Sequence, residues 1–98
     1  MAVKLLDADA GTIGGTYNAG AVLNPDSVQK TFFCWGVFAE ASVYIEYSPD
    51  GIEWFRDKTE ESRFTEKDLR TLKFAPGVHI RAVIVGATAP TLLNLWMM

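Results

Sequence analysis

Few residues in this chain of 98 have side chains of the types that carry out catalysis. It contains one cysteine, Cys34, and one histidine, His79. A zinc site of the histidine and cysteine type needs more ligands than these two residues supply. A serine nucleophile on a G-x-S-x-G elbow is also missing from the sequence. These residue types predict a protein that is not an enzyme and that has no metal and no cofactor.

Paired acidic residues could act as a general acid and base or hold calcium, and three such pairs occur. Each falls in a polar turn or loop, where a solvated carboxylate is the ordinary case. Calcium would require several acids alternating within one loop, which no pair provides. The pairs are Asp50 with Glu53, Glu60 with Glu61, and Glu66 with Asp68.

Charge and cysteine usage narrow the classes of partner. The net charge is −3 and no basic run occurs, so we expect no nucleic-acid partner. No apolar run is long enough to span a bilayer, so we expect no membrane partner.

A single cysteine allows no disulfide within the chain, and the apolar neighbours of Cys34 in TFFCWGVF indicate a small buried hydrophobe. The opening MAVKLLDADAG has no signal-peptide core, which predicts a protein that stays in the cytoplasm where it is made.

The first 27 residues differ in character from the rest of the chain. Val3 to Leu6 could form a short strand, and the stretch GTIGGTYNAGAVLNPDS that follows holds four of the eight glycines. Glycine is entropically expensive to order, and long loops in small domains are often functional or mobile. The sequence therefore predicts a strand and an extended arm over residues 1–27. Within it, Asp7 to Asn24 should be poorly ordered in an isolated subunit and become ordered by packing on a neighbouring chain. Residues 28–98 are predicted to form the folded domain.

From residue 28 onward the apolar residues follow the period of β-strands. The stretch QKTFFCWGVF is apolar on both faces, which indicates a central strand or one covered on both sides. ASVYIEYS and VHIRAVIVG alternate, so one face of each should meet a core. About six strands with short turns predict an all-β antiparallel β-sandwich or jelly roll, with a partly open barrel as the alternative. The predicted core residues are Phe32, Ile45, Ile80 and Ile84.

The charged stretch around Thr65 to Asp68 has two interpretations. Thr65 followed by Asp68 could cap a single helical turn, whereas a plain polar connection is the alternative.

The stretch YSPDGIEWF predicts a hairpin. Proline fixes φ at the first turn position and glycine accepts a left-handed conformation, so a three-residue loop is expected. The turn residues are Ser48, Pro49, Asp50 and Gly51. The predicted pairs are Ser48 with Ile52, Tyr47 with Glu53, Glu46 with Trp54, and Ile45 with Phe55.

That register leaves aromatic side chains on both faces of the hairpin. Tyr44, Ile52 and Trp54 fall on the face opposite Ile45, where an uncovered apolar patch would be an association site. In the alternative, a twisted hairpin turns Trp54 into the protomer's own core.

Arg81 lies in mid-strand, either at a sheet surface or paired at an interface with an acid such as Glu46 or Glu53. The candidate interface residues are Tyr44, Ile52, Trp54 and Arg81.

The segments VYIEYSPDGIEW and HIRAVIVG carry a resemblance to known families. A strand ending in Ser-x-Asp-Gly, a following Trp and a later Ile-Arg pair are similar to discoidin-like and other galactose-binding-like jelly rolls. The pattern also resembles small β-sandwich virion proteins of tailed bacteriophages, such as capsid decoration and head- or tail-associated modules, which often follow a Gly/Ala-rich N-terminal segment. The likeness covers roughly Phe32 to Met98. Full discoidin domains are longer and commonly have bracketing cysteines, which this chain lacks.

The phage resemblance implies a non-enzymatic virion structural protein, made in the host cytoplasm. It would be a capsid decoration or accessory protein that binds copies of itself and other virion proteins such as the major capsid protein. The alternative is a carbohydrate-binding jelly-roll module for adhesion or host-surface binding. There Trp54, Tyr44 or Trp35 would stack on a sugar, with Asp50 and Arg81 as polar partners. An enzyme subunit or regulatory domain is a third hypothesis.

Overall fold

The structure is a computed structural model, and it describes residues 3–24, 29–56 and 62–98. Within these ranges the chain contains no α-helix. Residues 65–67 form a bend, so a polar connection, and not a helical turn, precedes the strand that begins at Asp68. No helix in the described part of the chain is long and apolar enough to cross a membrane. The described residues form ten strands: β1 (Val3–Asp9), β2 (Thr16–Asn18), β3 (Val22–Asn24), β4 (Gln29–Val37), β5 (Ser42–Ser48), β6 (Phe55–Arg56), β7 (Arg63–Phe64), β8 (Asp68–Lys73), β9 (Val78–Val85) and β10 (Leu92–Met97).

The strands form two antiparallel sheets. Sheet I has the order β1-β10-β4-β8. Sheet II has the order β2-β9-β5-β6, and in it β3 also pairs with β9 and β7 also pairs with β5. If β2 with β3 and β6 with β7 are each taken as one interrupted strand, both sheets have four strands. The chain then changes sheet at every connection except the hairpin after β5, which is the order of a jelly roll. The predicted antiparallel β-sandwich is confirmed.

The core lies between the two sheets, because alternate side chains of each strand point inward. The pairing of β5 with β9 sets Ile45 opposite Ala82, and both are fully buried. Strand β4 is central in sheet I, and its inward residues are Phe32 and Cys34. Burial raises the pKa of the Cys34 thiol to about 12, so the thiol stays protonated at neutral pH. The four residues predicted for the core all have no solvent exposure: Phe32, Ile45, Ile80 and Ile84.

The N-terminal segment is extended, but residues 3–24 are not a free arm. Strand β1 pairs with β10 at the edge of sheet I, and β2 and β3 both pair with β9 at the edge of sheet II. Gly11 and Gly14, both at positive φ, lie in the connection between β1 and β2, where the chain changes sheet. Pairing with β9 thus orders a segment whose composition disfavours a strand. The predicted boundary at residues 27 and 28 lies outside the described residues.

The hairpin forms, but its predicted register is wrong by two residues. Tyr47 pairs with Phe55 and Glu46 with Arg56, instead of with Glu53 and Trp54. The reason lies in the Asp50 carboxylate. One of its oxygens accepts hydrogen bonds from the backbone N–H groups of the two residues that follow the turn, at 2.8 and 3.0 Å. These bonds extend the loop, so β6 starts later than the turn rule predicts.

The turn itself has the predicted residues in the predicted roles. Gly51 adopts φ +79°, and its N–H donates to the buried Ser48 hydroxyl at 2.7 Å. The pKa of Asp50 is lowered, mainly by the N–H of Glu53 and then by that of Ile52. Because the folded-state pKa lies below the usual value, this contribution to stability is present at neutral pH and is lost as the pH falls through the folded-state pKa.

Replacing Gly51 with valine should lower stability by roughly 1–3 kcal/mol, because a β-branched residue is strained at positive φ. The added Cβ would stand 3.5 Å from the His79 ring, an ordinary contact, so backbone strain accounts for the effect. Thermal melting measures it. Gly20→Val is the matched control, since nothing lies within 4 Å of a Cβ at that position. Equal melting temperatures for the two variants would contradict the turn geometry.

Candidate interaction surfaces

The outer faces of the two sheets are where this molecule can meet a partner. Among the described residues, no group of three or more His, Cys, Asp or Glu side chains could hold a metal ion. His79 lies beside the Gly51 turn, and its Nδ1 atom is buried without a hydrogen-bond partner in the described part of the chain. The acidic pair Glu60 and Glu61 lies outside the described residues.

A row of charges crosses the outer face of sheet II on three neighbouring strands. Glu46 of β5 pairs in register with Arg81 of β9 on one side and with Arg56 of β6 on the other. Arg81 donates from Nε and Nη2 to Oε1 of Glu46, at 3.0 and 2.8 Å. Arg56 donates to the other oxygen, Oε2, at 3.1 and 2.9 Å. Glu46 is thus the acidic partner of Arg81, and each of its two oxygens receives one guanidinium.

Aromatic rings cover these guanidinium groups. The Trp54 ring lies 4.2 Å from the Arg81 guanidinium carbon. Tyr44 has the Arg56 carbon 4.1 Å and the Arg63 carbon 5.9 Å from its ring centre. Such contacts stabilise a cation and hold its plane in place. We call this set the arginine cluster: Glu46, Arg56, Arg63, Arg81, Tyr44 and Trp54.

The cluster brings together three of the four predicted interface residues. Tyr44, Trp54 and Arg81 meet on the outer face, where the predicted register also put the two aromatic residues. Half-buried Trp54 packs on Arg81 of the outer face, which differs from the alternative that placed it in the core. Ile52 is separate in character: it lies in the extended loop and is 77% exposed. Two further members, Arg56 and Arg63, were not predicted.

The outer face of sheet I is apolar. In register across the four strands lie Lys4, Trp96, Phe33 and Leu69. Trp96 packs edge-to-face on Trp35 with ring centres 5.1 Å apart, and the Lys4 ammonium lies 4.7 Å from the Trp96 ring centre. Exposed Val37 and Leu92, which pair with each other, continue the patch. We call this set the apolar face: Phe33, Trp35, Val37, Leu69, Leu92 and Trp96.

A groove of about 290 Å³ opens on the apolar face between β4 and the start of β8. Its lining is mostly apolar, with Phe33, Trp35 and Leu69 next to Lys67 and Asp68. The pKa of Asp68 is lowered, first by a hydrogen bond from the Arg70 side chain and then by the backbone N–H of Leu69. The groove therefore has an apolar floor with the carboxylate of Asp68 at its rim.

The residues of the sugar hypothesis do not converge. Trp35 belongs to the apolar face of sheet I, whereas Tyr44 and Trp54 lie on the outer face of sheet II. One oxygen of Asp50 is occupied by backbone N–H groups of its own loop. Arg81 is bound to Glu46 and covered by Trp54. These positions leave the predicted stacking rings and polar partners without a common site.

The sequence held a signal for the apolar face, because both faces of QKTFFCWGVF are apolar. It held none for the neighbours of that strand, since sheet order decides that Trp96 and Leu69 flank Phe33. Comparison with known proteins adds no name to either surface. No protein-family model matches the chain, and no match was found among curated proteins or among solved structures.

Proposed function

We propose that the protein is a non-enzymatic structural component of a phage virion, a capsid decoration or accessory protein that acts as an oligomer. The observation that carries the proposal is the apolar face, an open aromatic surface on a domain with the jelly-roll strand order. Jelly rolls are used by viral capsid proteins and by lectins, so the fold agrees with the proposal without deciding it.

The apolar face fits a structural role because its exposed part is contiguous. Leu69 is 54% exposed, Val37 50% and Leu92 46%, beside the half-buried rings of Trp35 and Trp96. Soluble monomers seldom leave so large an apolar patch in contact with water. A second copy packed face to face, as sheets pack in sandwiches, would remove it from water. The arginine cluster on the opposite sheet then stays available for another virion protein.

Leu69→Arg should convert the oligomer to a monomer in sedimentation velocity, because a buried, unpaired charge at the contact is strongly unfavourable. Leu23→Arg is the matched control: Leu23 is 55% exposed and also lies in an edge strand, but on sheet II. Its variant should keep the wild-type mass. A wild-type chain that is monomeric at every concentration, or equal effects of the two substitutions, would contradict assembly through this face.

The virion role itself is tested on particles. In a phage whose genome encodes the chain, mass spectrometry of purified particles should find it in a fixed ratio to the major capsid protein. Its absence from washed, infectious particles would overturn the proposal, whatever the oligomeric state of the isolated chain.

A further inference from the structure

Three of the chain's four arginines lie together on the outer face of sheet II. Arg56 and Arg81 bind Glu46, and Arg63 lies across from Tyr44 in register. The fourth, Arg70, pairs with Asp68 of sheet I. Among the described residues, Glu46 is the one carboxylate in an ion pair with the cluster, and it pairs with two of its three guanidinium groups. The cluster therefore has an excess of positive charge, on a chain whose net charge is −3.

The hydrogen-bond donors of the cluster exceed its acceptors. Each guanidinium has five N–H donors, and Glu46 takes two from Arg56 and two from Arg81. Both oxygens of Glu46 are occupied in this way. The Nε atom of Arg63 is buried and has no hydrogen-bond partner in the described part of the chain. A buried donor of a charged group without an acceptor is unfavourable, and a ligand oxygen that reached this N–H would remove that cost.

The chemistry of the cluster favours a carboxylate. Guanidinium groups bind planar carboxylates through two parallel N–H bonds, and the cluster already holds the Glu46 carboxylate with such groups. Tyr44 and Trp54 hold the guanidinium groups in place before a ligand arrives. A nucleic acid would need positive charge along an extended surface, whereas this charge is confined to one compact cluster.

We propose that the arginine cluster is a binding site for a carboxylate of an acidic segment in a partner protein. Arg63 supplies the unpaired Nε–H donor, and Arg56 and Arg81 supply supporting charge. The site does not depend on the virion role, so each proposal can fail without the other.

The test uses hexaglutamate as the probe, with the full chain labelled with ¹⁵N. Titration should shift the Arg63 Nε–H resonance saturably, and hexaglutamine should leave it unchanged. Arg63→Gln should weaken binding at least tenfold, measured on the remaining arginine resonances. Arg63→Lys, which keeps the charge but not the fork, should fall between wild type and Arg63→Gln. Arg70→Gln is the control on sheet I and should bind like wild type. Melting temperatures verify folding, and if Arg63→Gln is unfolded, Arg63→Lys alone decides.

Four results would overturn the proposal. The first is the absence of a saturable shift, and the second is an equal loss in Arg70→Gln. The third is binding of inorganic phosphate or single-stranded DNA as tight as that of hexaglutamate. The fourth is binding that appears only when Glu60 and Glu61, which precede Arg63 in the sequence, are both changed to glutamine. That result would mean that the chain's own acids fill the site in the wild type.

Discussion

Phe32→Ala should lower the free energy of unfolding by roughly 3–5 kcal/mol, enough to leave much of a small domain unfolded. Phe32 has no solvent exposure and packs edge-to-face on Phe74, with ring centres 5.6 Å apart. It lies on β4 in the middle of sheet I, where the surrounding strands cannot collapse into the cavity that alanine would leave. Urea unfolding followed by tryptophan fluorescence measures the loss.

Phe55→Ala is the matched control for Phe32→Ala. Phe55 is 61% exposed on the short strand β6, so its truncation should change stability by less than about 0.5 kcal/mol. Similar urea midpoints for the two variants would mean that the core does not lie between the sheets as described.

Gly36→Ala should also be severely destabilising, by roughly 2–5 kcal/mol, although it adds a single methyl group. Gly36 has φ +129°, and a Cβ built there would stand 2.2 Å from the carbonyl oxygen of Leu92 on the neighbouring strand. Backbone atoms on β10 would have to move, because no flexible side chain can yield. We expect a sharply lower melting temperature or insoluble protein.

Gly20→Ala separates this clash from the general effect of replacing glycine. Nothing lies within 4 Å of a Cβ at Gly20, so alanine there should be neutral or stabilise by about 0.4–1 kcal/mol. A soluble Gly36→Ala variant that melts like Gly20→Ala would be incompatible with the close approach of β4 and β10.

The strands with strong alternation were predictable because their information is local. The pattern in VHIRAVIVG places Ile80 and Ile84 on one face, and both are buried in the structure. The hairpin register was not predictable from the turn rule, which reads four residues. The Asp50 carboxylate binds two N–H groups beyond those four, and that choice depends on the loop as a whole.

Sheet order and the interaction surfaces needed information that is spread along the chain. Glycine-rich residues 11–24 predict a loop, yet β9 offers them a sheet edge, and pairing along that edge outweighs their low strand propensity. For Arg81, pairing with an acid such as Glu46 was one of the two alternatives that the sequence left open. Arg56 and Arg63 were not recognised, because their places opposite Glu46 and Tyr44 follow from a register that was predicted wrongly and from a strand, β7, that was not predicted.

The position of β10 between β1 and β4 constrains the order in which the chain can fold on the ribosome. Of the ten strands, β10 is synthesised last, yet it joins the two halves of sheet I, with Val3 paired to Met97. Until β10 emerges, β1 has no partner in that sheet and β4 has only β8. Sheet II contains its own hairpin and can assemble earlier. Contacts between residues so distant in sequence slow folding, so this domain should complete its fold only once β10 has left the ribosome, at a rate limited by the docking of that single strand.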